Sequence, residues 1–119
     1  MAKRILVIDD DPVTVKYLTT LFNDHGYETI EAFDGTEALD IARNNIPDLI
    51  TLDLQMPEEW GPRFYRKLTK DKDFEKIPVI VVSGLAGKHA VAKAVAFVKK
   101  PFEPEKLLKI VEDTIGKSV

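Results

Sequence analysis

Five apolar runs of strand length punctuate the chain: Ile5 to Ile8 (ILVI), Tyr27 to Ala32 (YETIEA), Leu49 to Leu52 (LITL), Val79 to Val82 (VIVV) and a weaker Val95 to Val98 (VAFV). Runs that are apolar at all or nearly all positions, as in ILVI, LITL, VIVV and VAFV, suit parallel strands buried on both faces. The segments between them carry helical signals. Asp11-Pro12 pairs an N-cap with the residue favoured at the first helical position, Val15, Leu18 and Phe22 share the face that follows, and Gly26 marks the stop. Asp34 and Glu37 have capping-box spacing ahead of Ala38, Ile41 and Ala42. A third helix is expected from Pro62 toward Lys70, and the last places Pro104, Leu107, Leu108, Val111 and Ile115 on one face. Strands that alternate with helices in this way predict an α/β doubly wound parallel sheet, because parallel neighbours need crossovers long enough to hold a helix.

At 119 residues, with no linker, repeat or low-complexity tract, the chain reads as one domain spanning residues 1–119. A formal charge of −3 argues against direct nucleic-acid binding, which ordinarily shows a basic face. The absence of cysteine excludes disulfides, thiol nucleophiles and cysteine-ligated metals. No run approaches membrane-spanning length, and the amino terminus turns acidic too soon for a signal peptide, so the expectation is a cytoplasmic protein without membrane contact.

Ligands of open α/β sheets sit outside the carboxyl ends of the strands. There the sequence places Asp9, Asp10 and Asp11 after the first strand, Asp53 after the third, Ser83-Gly84 after the fourth, and Lys99-Lys100-Pro101-Phe102 after the fifth. A charge within a buried strand would be costly, whereas Asp53 at the end of LITL reaches a crevice. If the first and third strands are neighbours, Asp9, Asp10 and Asp53 converge, and their mutual repulsion calls for a cation. An all-oxygen ligand set suits Mg²⁺ and hence phosphate chemistry. Each residue also has a plainer role: Asp11 as a helix cap, Asp9 and Asp10 as solvated loop acids, Ser83-Gly84 as turn chemistry, and Lys-Pro-Phe as a turn with an apolar plug. A cis bond before Pro101 is the minority outcome for such peptides. His25 and His89 are isolated and expected at the surface.

Taken in order, the acid pair, an Asp ending a strand with Met56-Pro57 behind it, a Ser-Gly ending the next strand, and Lys-Pro-Phe before the last helix resemble the receiver domain of two-component response regulators. The resemblance runs from Ile5 to Ile115. It implies a flavodoxin-like, three-layer α/β/α fold with a five-stranded sheet in the order 2-1-3-4-5. It further implies that Asp53 accepts a phosphoryl group, that Asp10 ligates Mg²⁺ directly, and that Asp9 assists directly or through water. The backbone carbonyl of Gln55 would complete the protein's share of the ligands. Lys100 and Ser83 would neutralise and bind the phosphoryl oxygens, with Gly84 leaving room for entry. Ser83 and Phe97 would form the switch, although Phe97 also suits simple core filling. The implied partners are a sensor histidine kinase or histidine phosphotransfer protein upstream and a protein target downstream. The implied role is signalling: the domain catalyses only its own phosphorylation and slow dephosphorylation, and is not an enzyme in the ordinary sense.

Two features depart from the family pattern. The segment GLAGKHAVAKAVA between Ser83 and Phe97 is short, so the crossover between the fourth and fifth strands is expected to hold a shortened fourth helix. Trp60 stands where an acid more often precedes the glycine, as an interface anchor or as packing over the third helix. Gln55 and Leu85 match positions that tune phosphoryl loss. An aspartyl phosphatase of the haloacid dehalogenase type is excluded by Gln55, which stands where the second Asp is required, and a flavodoxin by the anionic DDDPVT. The remaining alternative is a degenerate receiver, a protein interaction module that signals without phosphorylation.

Overall fold

The computed structural model describes residues 2–56, 60–84 and 94–117. The elements run β1 (Arg4–Ile8), α1 (Pro12–Asp24), β2 (Glu28–Ala32), α2 (Gly35–Asn44), β3 (Leu49–Leu52), α3 (Trp60–Lys70), β4 (Val79–Ser83), β5 (Ala96–Lys99) and α4 (Pro104–Ile115). All pairings are parallel, and the order β2-β1-β3-β4-β5 is the doubly wound arrangement expected. The fifth strand begins one residue later than its apolar run, and α3 begins at Trp60, ahead of Pro62. The short crossover helix expected between β4 and β5, with Leu85 and His89, lies outside the described residues, as does the Trp60 side chain. His25 is exposed, as expected.

Strand alternation divides the core between the two faces of the sheet. Leu6, Ile8, Ile50, Leu52 and Val81 pack with Ala38 and Ala42 of α2 and Phe64 and Leu68 of α3. Ile5, Val7, Leu49, Ile80 and Val82 pack with Val15, Leu18 and Phe22 of α1 and Leu107 and Val111 of α4. Each of these side chains is essentially inaccessible, and burial of this kind contributes about 1.5–3 kcal/mol per large aliphatic or aromatic residue.

Capping sets where the helices begin and end. Asp11 caps α1, accepting from the Val13 N–H at 3.0 Å and the Thr14 hydroxyl at 3.1 Å. Asp34 accepts from the Glu37 N–H at 2.7 Å, but the Glu37 carboxylate accepts from the Phe33 N–H, one residue earlier than in a standard capping box. At the far end of α4, Gly116 takes a positive φ of 82°, and the orphan carbonyls are satisfied from remote sequence. The Lys3 ammonium donates to the Ile115 carbonyl and the Tyr27 hydroxyl to that of Gly116. The start of the chain thereby pins its last helix.

Candidate functional site

Register alone brings the acidic residues together. Ile8 lies opposite Leu52, so the next residues, Asp9 and Asp53, leave adjacent strands abreast. Their backbones stay tied to the sheet: the Asp53 N–H donates to the Ile8 carbonyl at 3.0 Å and the Asp9 N–H to that of Ala32 at 3.2 Å. Asp9 and Asp53 are buried, 2% and 3% exposed, while Asp10 opens to solvent. One carboxylate oxygen from each of Asp9, Asp10 and Asp53 falls within 4.8 Å of the others. The chain therefore holds a compact all-oxygen donor set with an open side. Those donors fit a small hard cation that retains part of its water shell.

From the other side, Ser83 pairs with Lys99 at the end of the β4–β5 ladder, and the Lys100 N–H donates to the Ser83 carbonyl at 3.0 Å. The Lys100 side chain then turns toward the acids. Its ammonium lies 2.7 Å from Asp9 Oδ2 and 3.8 Å from Asp53 Oδ2. Coulombic relief explains this placement, since a cation between two buried carboxylates lowers the energy of both. Burial nevertheless pushes the Asp9 carboxyl above the ordinary 3.8, and repulsion from Asp53 adds to the rise. The hydrogen bonds from Lys100 and from the Asp11 N–H only partly offset it.

Both acids are held by backbone donors as well. The Asp11 N–H donates to Asp9 Oδ1 at 2.9 Å, and the Gln55 N–H donates to Asp53 Oδ1 at 3.0 Å. Each carboxylate thus has one oxygen anchored by the turn that follows it and the other directed at Lys100. Ser83 is fully buried at the end of β4. Phe97, opposite Val81 on β5, is half-buried against the face covered by α2 and α3. The peptide before Pro101 is cis.

Two features of the site were not anticipated from the sequence. The closest contact of Lys100 is Asp9, not Asp53, a pairing across 91 positions that no local motif announces. Gly61, at the start of α3, lies against the backbone of the Asp53 turn: a Cβ there would sit 2.6 Å from the Asp53 carbonyl oxygen and 2.6 Å from Leu54 Cα. The available signal was a glycine shortly after the Met56-Pro57 pair in the sequence, where a helix must approach a strand end closely. Beside the site, Val13, Thr14, Tyr17, Pro101 and Phe102 line an apolar cleft with Lys100 at its edge. Tyr17 and Phe102 meet there edge to face at 6.0 Å.

A doubly wound parallel sheet with three acids and a lysine converging at its carboxyl edge is the arrangement of a receiver-type signalling domain. The profile of the response regulator receiver domain matches residues 5–112, and the chain belongs to that family. Among its relatives, protein Rrf1 of Nitratidesulfovibrio vulgaris is 39% identical over 117 residues, covering 98% of this chain and 85% of Rrf1. The polar-differentiation response regulator DivK of Brucella ovis is 32% identical, covering 98% of both chains. The chemotaxis protein CheY4 of Vibrio cholerae superposes with a TM-score of 0.89 at 27% identity, covering 96% of this chain and 99% of CheY4. Receiver domains of this kind serve two-component signalling and carry no dedicated enzymatic activity. No described helix is long and apolar enough to cross a membrane.

Proposed function

We propose that this chain is a phosphoacceptor receiver, taking a phosphoryl group onto Asp53 from a histidine kinase or histidine phosphotransfer protein. The observation that carries this reading is the convergence of Asp9, Asp10 and Asp53 on one point with the Lys100 ammonium beside them. Asp9, Asp10, Asp53 and the Gln55 carbonyl would hold Mg²⁺, which when bound supplies charge neutralisation for an incoming phosphoryl group.

The residues then divide the work. Asp53 Oδ1 is held by the Gln55 N–H, so Oδ2, on the Lys100 side, is the oxygen free to attack phosphorus. A bond forms from that oxygen to phosphorus as the bond to the donor nitrogen breaks. Charge spreads over the equatorial oxygens, where the ammonium of Lys100 and the hydroxyl of Ser83 stabilise it. The backbone link between Ser83 and Lys100 makes their movements interdependent. Drawing Ser83 inward opens space into which Phe97, only half-buried beforehand, turns; this biases a two-state element read by a protein target. The apolar cleft, with Val13 77% and Tyr17 48% exposed, offers a phosphodonor an apolar landing surface next to Lys100.

Incubation with acetyl phosphate and magnesium should add one phosphoryl mass to the wild type and none to Asp53→Asn. Calorimetric titration with magnesium should show saturable binding that Asp10→Ala weakens. Full labelling of Asp53→Asn would refute the assignment of the acceptor. A wild type that binds magnesium but never takes label would point instead to the degenerate, phosphorylation-independent module.

A further inference from the structure

Lys100 is fixed by an acid other than the proposed acceptor. Its ammonium donates to Asp9 Oδ2 at 2.7 Å, the length of a charge-assisted hydrogen bond, whereas Asp53 Oδ2, at 3.8 Å, lies beyond hydrogen-bond reach. Asp9 is itself immobilised. Its Oδ1 accepts from the Asp11 N–H at 2.9 Å, and Asp11 in turn caps α1 through the Val13 N–H and the Thr14 hydroxyl. Asp9 is buried and the Lys100 side chain is 24% exposed, so water competes little for the bond between them. A line of hydrogen bonds therefore runs from the first turn of α1 through Asp9 to the ammonium that stands beside Asp53.

From this we infer that Asp9 is the positioning residue of Lys100 and acts on phosphoryl transfer through it, a role that rests on the reading of Asp53 as the phosphoacceptor. Asp53 is unsuited to that anchoring, because its carboxylate gives up its charge when Oδ2 bonds to phosphorus. Asp9 keeps its charge throughout. The ammonium thus stays anchored while negative charge builds on the phosphoryl oxygens, and little reorganisation is needed at the moment of transfer. A cation bound directly to Asp9 Oδ2 would stand against that ammonium, so Asp9 shares in holding Mg²⁺ through water.

The test reads the lysine directly. In the full chain labelled with ¹⁵N-lysine, with magnesium present, a hydrogen-bonded ammonium exchanges its protons slowly enough to give an Nζ–H cross peak, assigned by its loss in Lys100→Gln. That peak should be present in the wild type and in Asp53→Asn, and absent from Asp9→Asn. Labelling by acetyl phosphate, at magnesium saturating for each variant, should fall about tenfold or more in maximal rate in Asp9→Asn, with little change in the acetyl phosphate concentration giving half that rate. In the Lys100→Gln background the same substitution should cost less than about twofold, since its effect passes through the lysine. A peak that survives Asp9→Asn, disappears in Asp53→Asn or is abolished by magnesium in the wild type overturns the proposal, as does an undiminished cost of Asp9→Asn in the Lys100→Gln background. The cross peak does not depend on phosphoryl transfer. A chain that shows the expected peaks and never takes label therefore fails as a phosphoacceptor, while Asp9 stands as the anchor of Lys100.

Discussion

The contact between α3 and the Asp53 turn gives a sharp test of how the site is held. In Gly61→Ala, the added Cβ would sit 2.6 Å from two backbone atoms, the Asp53 carbonyl oxygen and Leu54 Cα. Ordinary contact begins near 3.4 Å, so helix and turn must separate by about 0.8 Å. Neither atom belongs to a flexible side chain, so the strain has nowhere local to go. Overpacking of this kind costs about 1–3 kcal/mol, offset by at most about 1 kcal/mol from the better helix propensity of alanine. A net loss near 1–2 kcal/mol lowers the melting temperature by roughly 4–8 °C in a domain of this size. The effect on chemistry should be larger, because the turn carries the carboxylate proposed as the phosphoryl acceptor: a displacement approaching 1 Å costs about 100-fold in rate. The control is Gly84→Ala, whose Cβ would meet only Gln55 Oε1 at 2.8 Å, the mobile end of a side chain that can swing aside. Thermal melting should separate the two variants, and the rate of labelling by acetyl phosphate, followed by intact mass, should fall in Gly61→Ala. Should Gly61→Ala melt and label like the wild type, or Gly84→Ala melt as low, the claim that backbone contact positions Asp53 is wrong.

The remaining expectations concern the buried polar groups. Asp9 binds its proton more tightly when folded, so its contribution to stability is fully present below the ordinary value of 3.8 and is lost as pH rises through the raised one. In chelator, denaturant unfolding should show wild-type stability declining relative to Asp9→Asn as pH rises over that window, and a flat difference would contradict the burial argument. Thr51 is 1% exposed, and its hydroxyl has no hydrogen-bond partner among the described residues. Thr51→Val should therefore stabilise the domain by about 1 kcal/mol in the same assay, since it removes an unsatisfied buried group without changing the shape of the side chain.

How much of this was legible beforehand depends on the range of each interaction. LITL ending in Asp53, ILVI ending in Asp9 and Asp10, and VIVV ending before Ser83 could be read directly. An apolar run that stops at a polar residue marks both a buried strand and the edge at which it emerges. The Asp11 cap was equally plain, being an interaction across two residues. The family resemblance supplied the strand order, which periodicity does not specify. By contrast, the chain carries no local sign that Lys100 chooses Asp9 over Asp53, that Glu37 reaches Phe33, or that Lys3 and Tyr27 close the end of α4.

The sequence by itself thus determined which segments are strands and helices, and which chemical groups stand at the carboxyl edge, because hydrophobic period and capping act within a few residues. Tertiary structure alone decided the distances that make those groups a site. They depend on sheet register, on the approach of α3 permitted by Gly61, and on a lysine arriving from the last strand to sit between two carboxylates buried too deeply for water to screen their repulsion.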